Sequence, residues 1–360
     1  MIRTDLNYED LLAIVDELDV VKYAKTRNFI NGSVTYLSPY ISRGIISTQQ
    51  IYSRLRQRGI AAKDMEMFLK ELLWRDYFQR LGQARVAEWN TECPDHFPEC
   101  VVNASTGIKA VDEGISVLRE TGYMHNHLRM YLASITLNVA KQPYNAPAKW
   151  LYYHLLDADF ASNTASWLWV NGDRGKKKYW VNQENINHYT NSKQSNSFLD
   201  KSYEELPESP TPKHLEHLVD LQLETNLPES EVLNFDQTNE VLIYTPYNLD
   251  PNWHLDESFN RVLWLSPNYF KHWPMADKTI QFILLNARRV KGLQVFVGEL
   301  EELRQIIPTA KLRMKEHPLF YFKDILYEER DWIVPSLQGE FPSFFNYWNK
   351  ASKVIYGDEE

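Results

Sequence analysis

Between Thr121 and Trp169 the chain gathers polar and aromatic side chains that neither a plain surface nor a plain core requires. The stretch TGYMHNHLRM (Thr121–Met130) has the pattern of a helix carrying Asn126, Arg129 and Met130 at i, i+3 and i+4. That spacing sets an amide, a guanidinium and a thioether on one face. The stretch DADFASNTASWLW (Asp157–Trp169) adds two carboxylates, Asp157 and Asp159, an amide at Asn163 and indoles at Trp167 and Trp169. Donors, acceptors and aromatic planes within one segment suit a large, planar, hydrogen-bonding cofactor. Read alone, an aspartate here is also a good helix N-cap, a role that one of the two can fill but not both.

Two upstream segments have the same double reading. Tyr23 is followed by a hydroxyl-rich turn, VTYLSPYISRGIIST (Val34–Thr48), which is either an ordinary N-cap turn or an anion site at a helix start. FLKELLWRDYFQRL (Phe68–Leu81) places Glu71, Trp74 and Arg75 at i, i+3 and i+4. By itself that is a core indole beside a surface Glu–Arg pair. Taken together and in this order, the four segments resemble the FAD-binding core of the photolyase/cryptochrome family. Its TGxxHNRxRM helix, its DGDxASNxxxWQW loop, its phosphate-side loop and its Glu-x-x-Trp-Arg helix all have counterparts here. The spacing from Met130 to Asp157 fits without a gap, and the likeness covers about the first 195 residues.

The resemblance implies FAD held in a bent form. It places Tyr23, Thr35, Leu37 and Ser38 on the phosphates. Val34-Thr35 stands where the family has Thr-Ser, so one hydroxyl is lost. Arg75 and Asn126 join the cofactor contacts. Arg129 and Asp157 become an ion pair over the flavin ring, suited to an anionic reduced form. Asp159 accepts from the imide N–H, and Asn163 sits beside N5, where photolyases have Asn, plant cryptochromes Asp and animal ones Cys. Glu71, Trp74, Asn126, Met130 and Trp169 match the positions that receive a cyclobutane pyrimidine dimer flipped out of the DNA stack. Glu71, Asn126 and Trp167 carry the catalytic roles. His127 replaces the family's Arg, which weakens one phosphate contact or makes it pH-dependent. Trp167 matches the flavin-proximal indole of the electron relay, but the next position is Tyr144. The outer Trp has no clear counterpart; Trp89 is near, and Trp150 and Trp180 are further candidates.

Around these motifs, apolar residues recur at helical spacing over Leu11–Leu18, Ile51–Leu55, Met65–Leu81, Ile108–Leu118 and Leu128–Val139. Ser47 or Thr48 is placed to cap a helix beginning at Gln49. Residues 191–236 turn polar and contain four Pro, the composition of a linker, with one helix predicted across Lys213–Leu223. From Glu240 the period shortens. Val241–Pro246, Arg261–Pro267, Gly292–Gly298 and Leu312–Pro318 read as buried strands, with helices over Asp277–Val290 and Leu300–Ile307. That alternation predicts a parallel sheet. The expected fold is α plus α/β: an all-helical, FAD-binding, photolyase-like domain over 1–195, a linker over 196–238, and a smaller Rossmann-like parallel α/β domain over 239–360. No GxGxxG supports dinucleotide binding in that second domain. The family has the opposite order, α/β first. Its antenna-chromophore positions lie in that leading domain, so none is carried over and the antenna stays unknown.

Composition bounds the rest. Of 360 residues, 44% are hydrophobic and 24% charged, as in ordinary globular proteins, while aromatics reach 13%. Net charge is −9, yet residues 1–200 carry 23 Lys and Arg against 22 Asp and Glu, so the acidity belongs to the second half. A neutral first half with local basic patches, such as Gly172–Lys178, is compatible with a phosphate backbone. Cys93, His96 and Cys100 offer three zinc-type ligands without a nearby fourth, which reads as two free thiols. The N-terminus lacks the apolar stretch of a signal peptide, and no apolar run reaches the ~20 residues that span a bilayer. The expectation is a monomeric cytoplasmic protein without membrane contact. Its partner is damaged DNA, single- or double-stranded, and its activity blue-light-driven repair of cyclobutane dimers. The alternatives are a cryptochrome-like photoreceptor and a flavoprotein that keeps the site without light chemistry.

Overall fold

The computed structural model describes residues 3–91, 96–173, 177–307 and 311–357. Helices come first: α1 (Tyr8–Asp16), α2 (Val20–Thr26), α3 (Ser38–Ser42), α4 (Thr48–Gln57) and α5 (Glu66–Trp89). A short strand β1 (His96–Pro98) leads into α6 (Glu99–Val102), α7 (Lys109–Thr121) and α8 (Asn126–Ser134). A π-turn (Ile135–Val139) separates α8 from α9 (Asn145–His154), α10 (Phe160–Asn171) and α11 (Gln183–Thr190). The linker contributes a single 3-10 turn (Lys213–Leu215) and β2 (Leu218–Asp220). The remainder alternates: β3 (Val241–Tyr244), β4 (Asn260–Leu265), α12 (Pro267–His272), α13 (Asp277–Ala287), β5 (Leu293–Val297), α14 (Leu300–Ile306), β6 (Leu312–Lys315), β7 (Ile325–Glu328) and α15 (Phe344–Gly357).

The chain forms two compact units that do not follow sequence order. The first comprises Met1–Val20, Thr35–Val86 and Glu224–Glu360; the second comprises Val21–Val34 and Ala87–Leu223. The division in space therefore differs from the boundaries at 195 and 239 that composition suggests. Helices α1, α3, α4 and most of α5 belong with the sheet.

In the first unit, five parallel strands run in the order β5-β4-β3-β6-β7, the doubly wound arrangement expected for a Rossmann-like sheet. β3 lies at the centre, and all four of its residues are buried, as a strand covered on both faces requires. Edge strand β5 is screened by the linker: Glu231 N–H donates to the Val295 carbonyl (2.8 Å), and Val297 N–H donates to Ser230 Oγ (3.1 Å). Ser47, not Thr48, caps α4, accepting from Gln50 N–H while the Gln50 side chain accepts from Ser47 N–H. α3 and the loop after β3 approach closely at Gly44 (φ +64), where any Cβ would collide with the Tyr247 carbonyl. Leu249 N–H donates to the Arg43 carbonyl at 2.8 Å across the same contact.

The second unit is helical, with a two-stranded antiparallel ribbon, β1 to β2. The helix expected over Lys213–Leu223 does not form. His214 Nε2 bonds the Thr106 carbonyl (2.9 Å), and Leu218–Asp220 pairs with His96–Pro98 instead. The partner strand lies more than a hundred residues upstream, so no local pattern announces it. The helix expected to continue to Val139 loosens at Ile135, where Ala140 N–H reaches back to the Ile135 carbonyl.

Candidate functional site

In the second unit the geometry starts from the end of α7. Gly122 takes φ +74, the left-handed conformation that stops a helix. Its carbonyl accepts from Leu156 N–H at 2.9 Å, which ties the Asp157 loop to this turn. His125 then caps α8, its Nδ1 accepting from His127 N–H at 3.2 Å. Burial, helped by His127 and Arg129, pulls its pKa down to about 4, so the ring is neutral.

Arg129 lies one turn into α8. Its Nε donates to the Met124 carbonyl at 2.8 Å, and its Nη2 donates to Asp157 Oδ2 at 3.0 Å. The sequence pairing of Arg129 with Asp157 is thus an actual ion pair, with the carboxylate almost wholly buried. Removing either member would strand a buried charge at a cost of about 3–5 kcal/mol. Asp159 has the other role open to it: it caps α10, accepting from Ser162 N–H at 2.8 Å. Asn163 follows one turn on, its Nδ2 donating to the Ala148 carbonyl at 2.9 Å. Trp167, one further turn along the same face, is buried. Trp169 is 38% exposed, with its ring 5.5 Å from that of Tyr179.

On α8, Asn126 is exposed and its amide nitrogen lies 3.9 Å from Met130 Sδ, the i, i+4 contact that the sequence predicts. His127 has Nδ1 2.6 Å from the Asn28 carbonyl and its ring stacked on Tyr131. Tyr23 is half-buried on α2. Of the relay candidates, Tyr144 precedes α9 and is half-buried, Trp150 is buried beside Phe97 (5.3 Å) and His154 (4.9 Å), and Trp89 is buried beside Phe160 (6.3 Å). Trp180 is half-buried. A cleft of about 740 Å³ in this unit is lined by Lys109, Gly114, Met124, His125, Leu128 and Gln194, among others, and by none of the expected flavin contacts.

In the first unit, Thr35 Oγ1 accepts from Leu37 N–H at 3.3 Å, and Tyr36 takes φ +54. Leu37 is buried, and Ser38 opens α3 ahead of Pro39. This is a tight hydroxyl turn before a helix. Glu71, Trp74 and Arg75 are all half-buried on α5. Trp74 lies flat against Phe344 of α15, centroids 3.8 Å apart and planes 11° from parallel, with Phe78 at 5.2 Å. Neither Phe344 nor the buried Asp76 beside Arg75 was singled out by motif. The α15 stripe was nevertheless legible: Phe344, Tyr347, Trp348, Ala351 and Ile355 repeat at helical spacing, and all are buried.

Cys100 is a buried free thiol whose pKa burial raises to about 11. His96 pairs with Asp220 at 2.6 Å. Cys93 and residues 174–176 of the Gly172–Lys178 patch lie outside the described residues. Among the described residues no group of three His, Cys, Asp or Glu forms a metal cluster, and no helix is long and apolar enough to cross a membrane.

Residues 68–202 match the family described as the FAD binding domain of DNA photolyase. Over that region the chain is similar to the photolyase/cryptochrome family, and the matched domain is one that binds FAD. Among similar proteins, the deoxyribodipyrimidine photo-lyase of Agrobacterium fabrum is 32% identical over 168 residues, 42% of this chain and 34% of that one. Cryptochrome DASH of Danio rerio is 28% identical over 196 residues, 48% of this chain and 37% of that one. The chain thus spans about a third of the length of these relatives. A bacterial class III photolyase structure from Agrobacterium tumefaciens is 27% identical, covering 48% of this chain and 40% of that chain, with a TM-score of 0.40. The residues present fit a flavin: the buried Arg129–Asp157 pair, the Asp159 carboxylate and the Asn163 amide gather the donors and acceptors that its ring edges need.

Proposed function

We propose that the protein is a blue-light-driven DNA photolyase that splits cyclobutane pyrimidine dimers. The observation that carries this reading is the division of labour on α8. Arg129 turns to Asp157, while exposed Asn126 and half-buried Met130, one turn apart, touch each other at 3.9 Å. One helix therefore offers a charged pair to a cofactor and an amide–thioether pair to a substrate. Bound FAD supplies light-driven one-electron chemistry. Arg129 and Asp157 hold the ring and set the field over it; Asp159 and Asn163 bond its edge; Tyr23, Thr35, Leu37, Ser38 and Arg75 bind toward the phosphates. Glu71 and Asn126 hydrogen-bond the flipped dimer, Trp74 and Trp169 stack on it, and Met130 fills the apolar side. Trp167 passes the electron that reduces the cofactor. The protein acts on damaged DNA, single- or double-stranded, as a cytoplasmic monomer.

A second reading, a cryptochrome-like photoreceptor, is favoured by one contact: Phe344 already occupies a face of the Trp74 ring. Illumination of chemically reduced protein with a dimer-containing oligonucleotide separates the two. Repair supports the photolyase; photochemistry without repair supports the receptor.

A further inference from the structure

Arg80, on α5 in the first unit, is a buried cation without an anionic partner among the described residues. The residue is 5% exposed. Its one hydrogen bond is long, from Nη1 to Gln83 Oε1 at 3.4 Å. Its guanidinium lies over the Trp332 ring, Cζ 3.6 Å from the centroid. That cation–π contact offsets part of the desolvation but satisfies no N–H group. Nε and Nη2 are both buried without an acceptor. Those two atoms form one edge of the guanidinium, the edge that grips oxyanions with two parallel hydrogen bonds.

Further donors without acceptors lie around the same guanidinium. Arg330 approaches Trp332 with Cζ 5.0 Å from the centroid. Its Nε donates to Glu316 and its Nη1 to Gln79, but its Nη2 is buried without an acceptor. Tyr347 of α15 is fully buried, and its hydroxyl likewise has no partner. Tyr347, Arg330, Asp76 and the exposed Glu329 are all near enough to act electrostatically on Arg80. Asp76 makes no ion pair with it among the described residues; its two oxygens accept from Thr48 Oγ1 (2.8 Å) and Ile333 N–H (3.0 Å). Two cations and a hydroxyl thus offer four buried donors and no acceptor, whereas buried polar groups are nearly always paired.

We propose that the Arg80–Arg330–Tyr347 cluster is an internal binding site for one small inorganic oxyanion of the phosphate type. An anion there would take the bidentate edge of Arg80, Arg330 Nη2 and the Tyr347 hydroxyl. It would also tie α5, the segment after β7 and α15 together. The donors have almost no exposed surface, so the site fits a free ion rather than a phosphate carried on a nucleic-acid chain.

The test uses the full chain, dialysed into phosphate-free buffer. Phosphate released on denaturation is first measured with molybdate, so that ion retained through purification is counted. Calorimetric titration with sodium phosphate follows, against sodium chloride at matched ionic strength. The expected result is saturable binding of about one phosphate per chain, retained and titrated ion together, with a rise in melting temperature that chloride does not give. Tyr347→Phe should weaken binding about tenfold or more, the loss of one hydrogen bond to a charged group. Arg80→Leu should abolish it. Arg80→Lys keeps the charge but loses the paired edge, so it should also bind weakly, and it serves if the Leu variant does not fold. Neither retained nor saturable phosphate in the parent, or unchanged affinity in Tyr347→Phe and Arg80→Lys, overturns the site. Equal binding of a deoxynucleoside monophosphate overturns the assignment to a closed inorganic-ion site.

Discussion

The indole of Trp74 and the ring of Phe344 are stacked face to face at 3.8 Å, joining the Glu-x-x-Trp-Arg motif of α5 to α15. The two residues are 270 positions apart and in the same compact unit. Stacking holds the indole in one orientation, which lowers the entropy lost when a base packs against its remaining face. Phe344→Ala should therefore act twice. Stability should fall by about 3–5 kcal/mol, as for other buried Phe→Ala changes, read from the urea midpoint at unchanged slope. Affinity for dimer-containing DNA should fall as well. Tighter DNA binding in Phe344→Ala would show instead that the stack blocks the indole.

Trp74→Ala and Glu71→Ala should keep the flavin and lose repair. A stacked base is worth about 1–3 kcal/mol, so Trp74→Ala should weaken DNA binding by roughly tenfold or more. Fluorescence anisotropy with a labelled dimer-containing strand measures this. Undiminished binding and repair in both variants would remove α5 from the substrate site.

The purified protein is expected to be yellow, with about one FAD per chain held non-covalently. Arg129→Ala and Asp157→Ala should each lose it, since each leaves a buried charge without its partner. Flavin absorbance per protein, with circular dichroism as the check on folding, decides. Folded variants with full flavin content would sink this assignment of the pair.

Asp76 gives the protein a stability that depends on pH. Burial raises its pKa from 3.8 to about 6, against the lowering effects of the Ile333 and Thr48 hydrogen bonds. The folded state therefore holds this proton more tightly than the unfolded one. Its contribution is complete below the unfolded value and is lost as pH rises through the folded value. Stability should drop by up to about 3 kcal/mol between pH 4 and 6 on this account. Asp76→Asn, which cannot titrate, should flatten that part of the profile. Urea melts at half-unit pH steps provide the measurement, and an unchanged slope in Asp76→Asn would place the effect elsewhere.

The relay makes the last prediction. Trp167→Phe should abolish photoreduction yet leave repair by chemically pre-reduced protein intact, because the proposed function gives Trp167 the reduction of the cofactor and Trp169 the stacking on the substrate. Tyr144→Phe should slow photoreduction, since Phe cannot release the proton that makes Tyr oxidation feasible, and Tyr144→Trp should speed it. Transient absorption compares the three. Normal photoreduction in Trp167→Phe would direct attention to Trp150 and Trp180.

The sequence alone determined what depends on neighbours along the chain. A hydroxyl cap at Ser47 or Thr48, the Asn126–Met130 contact and the strands at Val241, Arg261, Gly292 and Leu312 follow from spacing of a few residues, where period and side-chain chemistry act directly. The four ordered motifs also marked the likeness to an FAD-binding domain. Tertiary structure decided what depends on partners far away in sequence. Leu218–Asp220 became a strand because His96–Pro98 offered it an edge. His127 bonds the Asn28 carbonyl, 99 residues upstream. Asp76, which no motif singles out, is buried with its carboxylate accepting from Thr48 and Ile333. Helices α1, α3 and α4 joined the sheet rather than the other helices. An amphipathic stripe states that a helix must cover an apolar face; it does not say which surface does the covering.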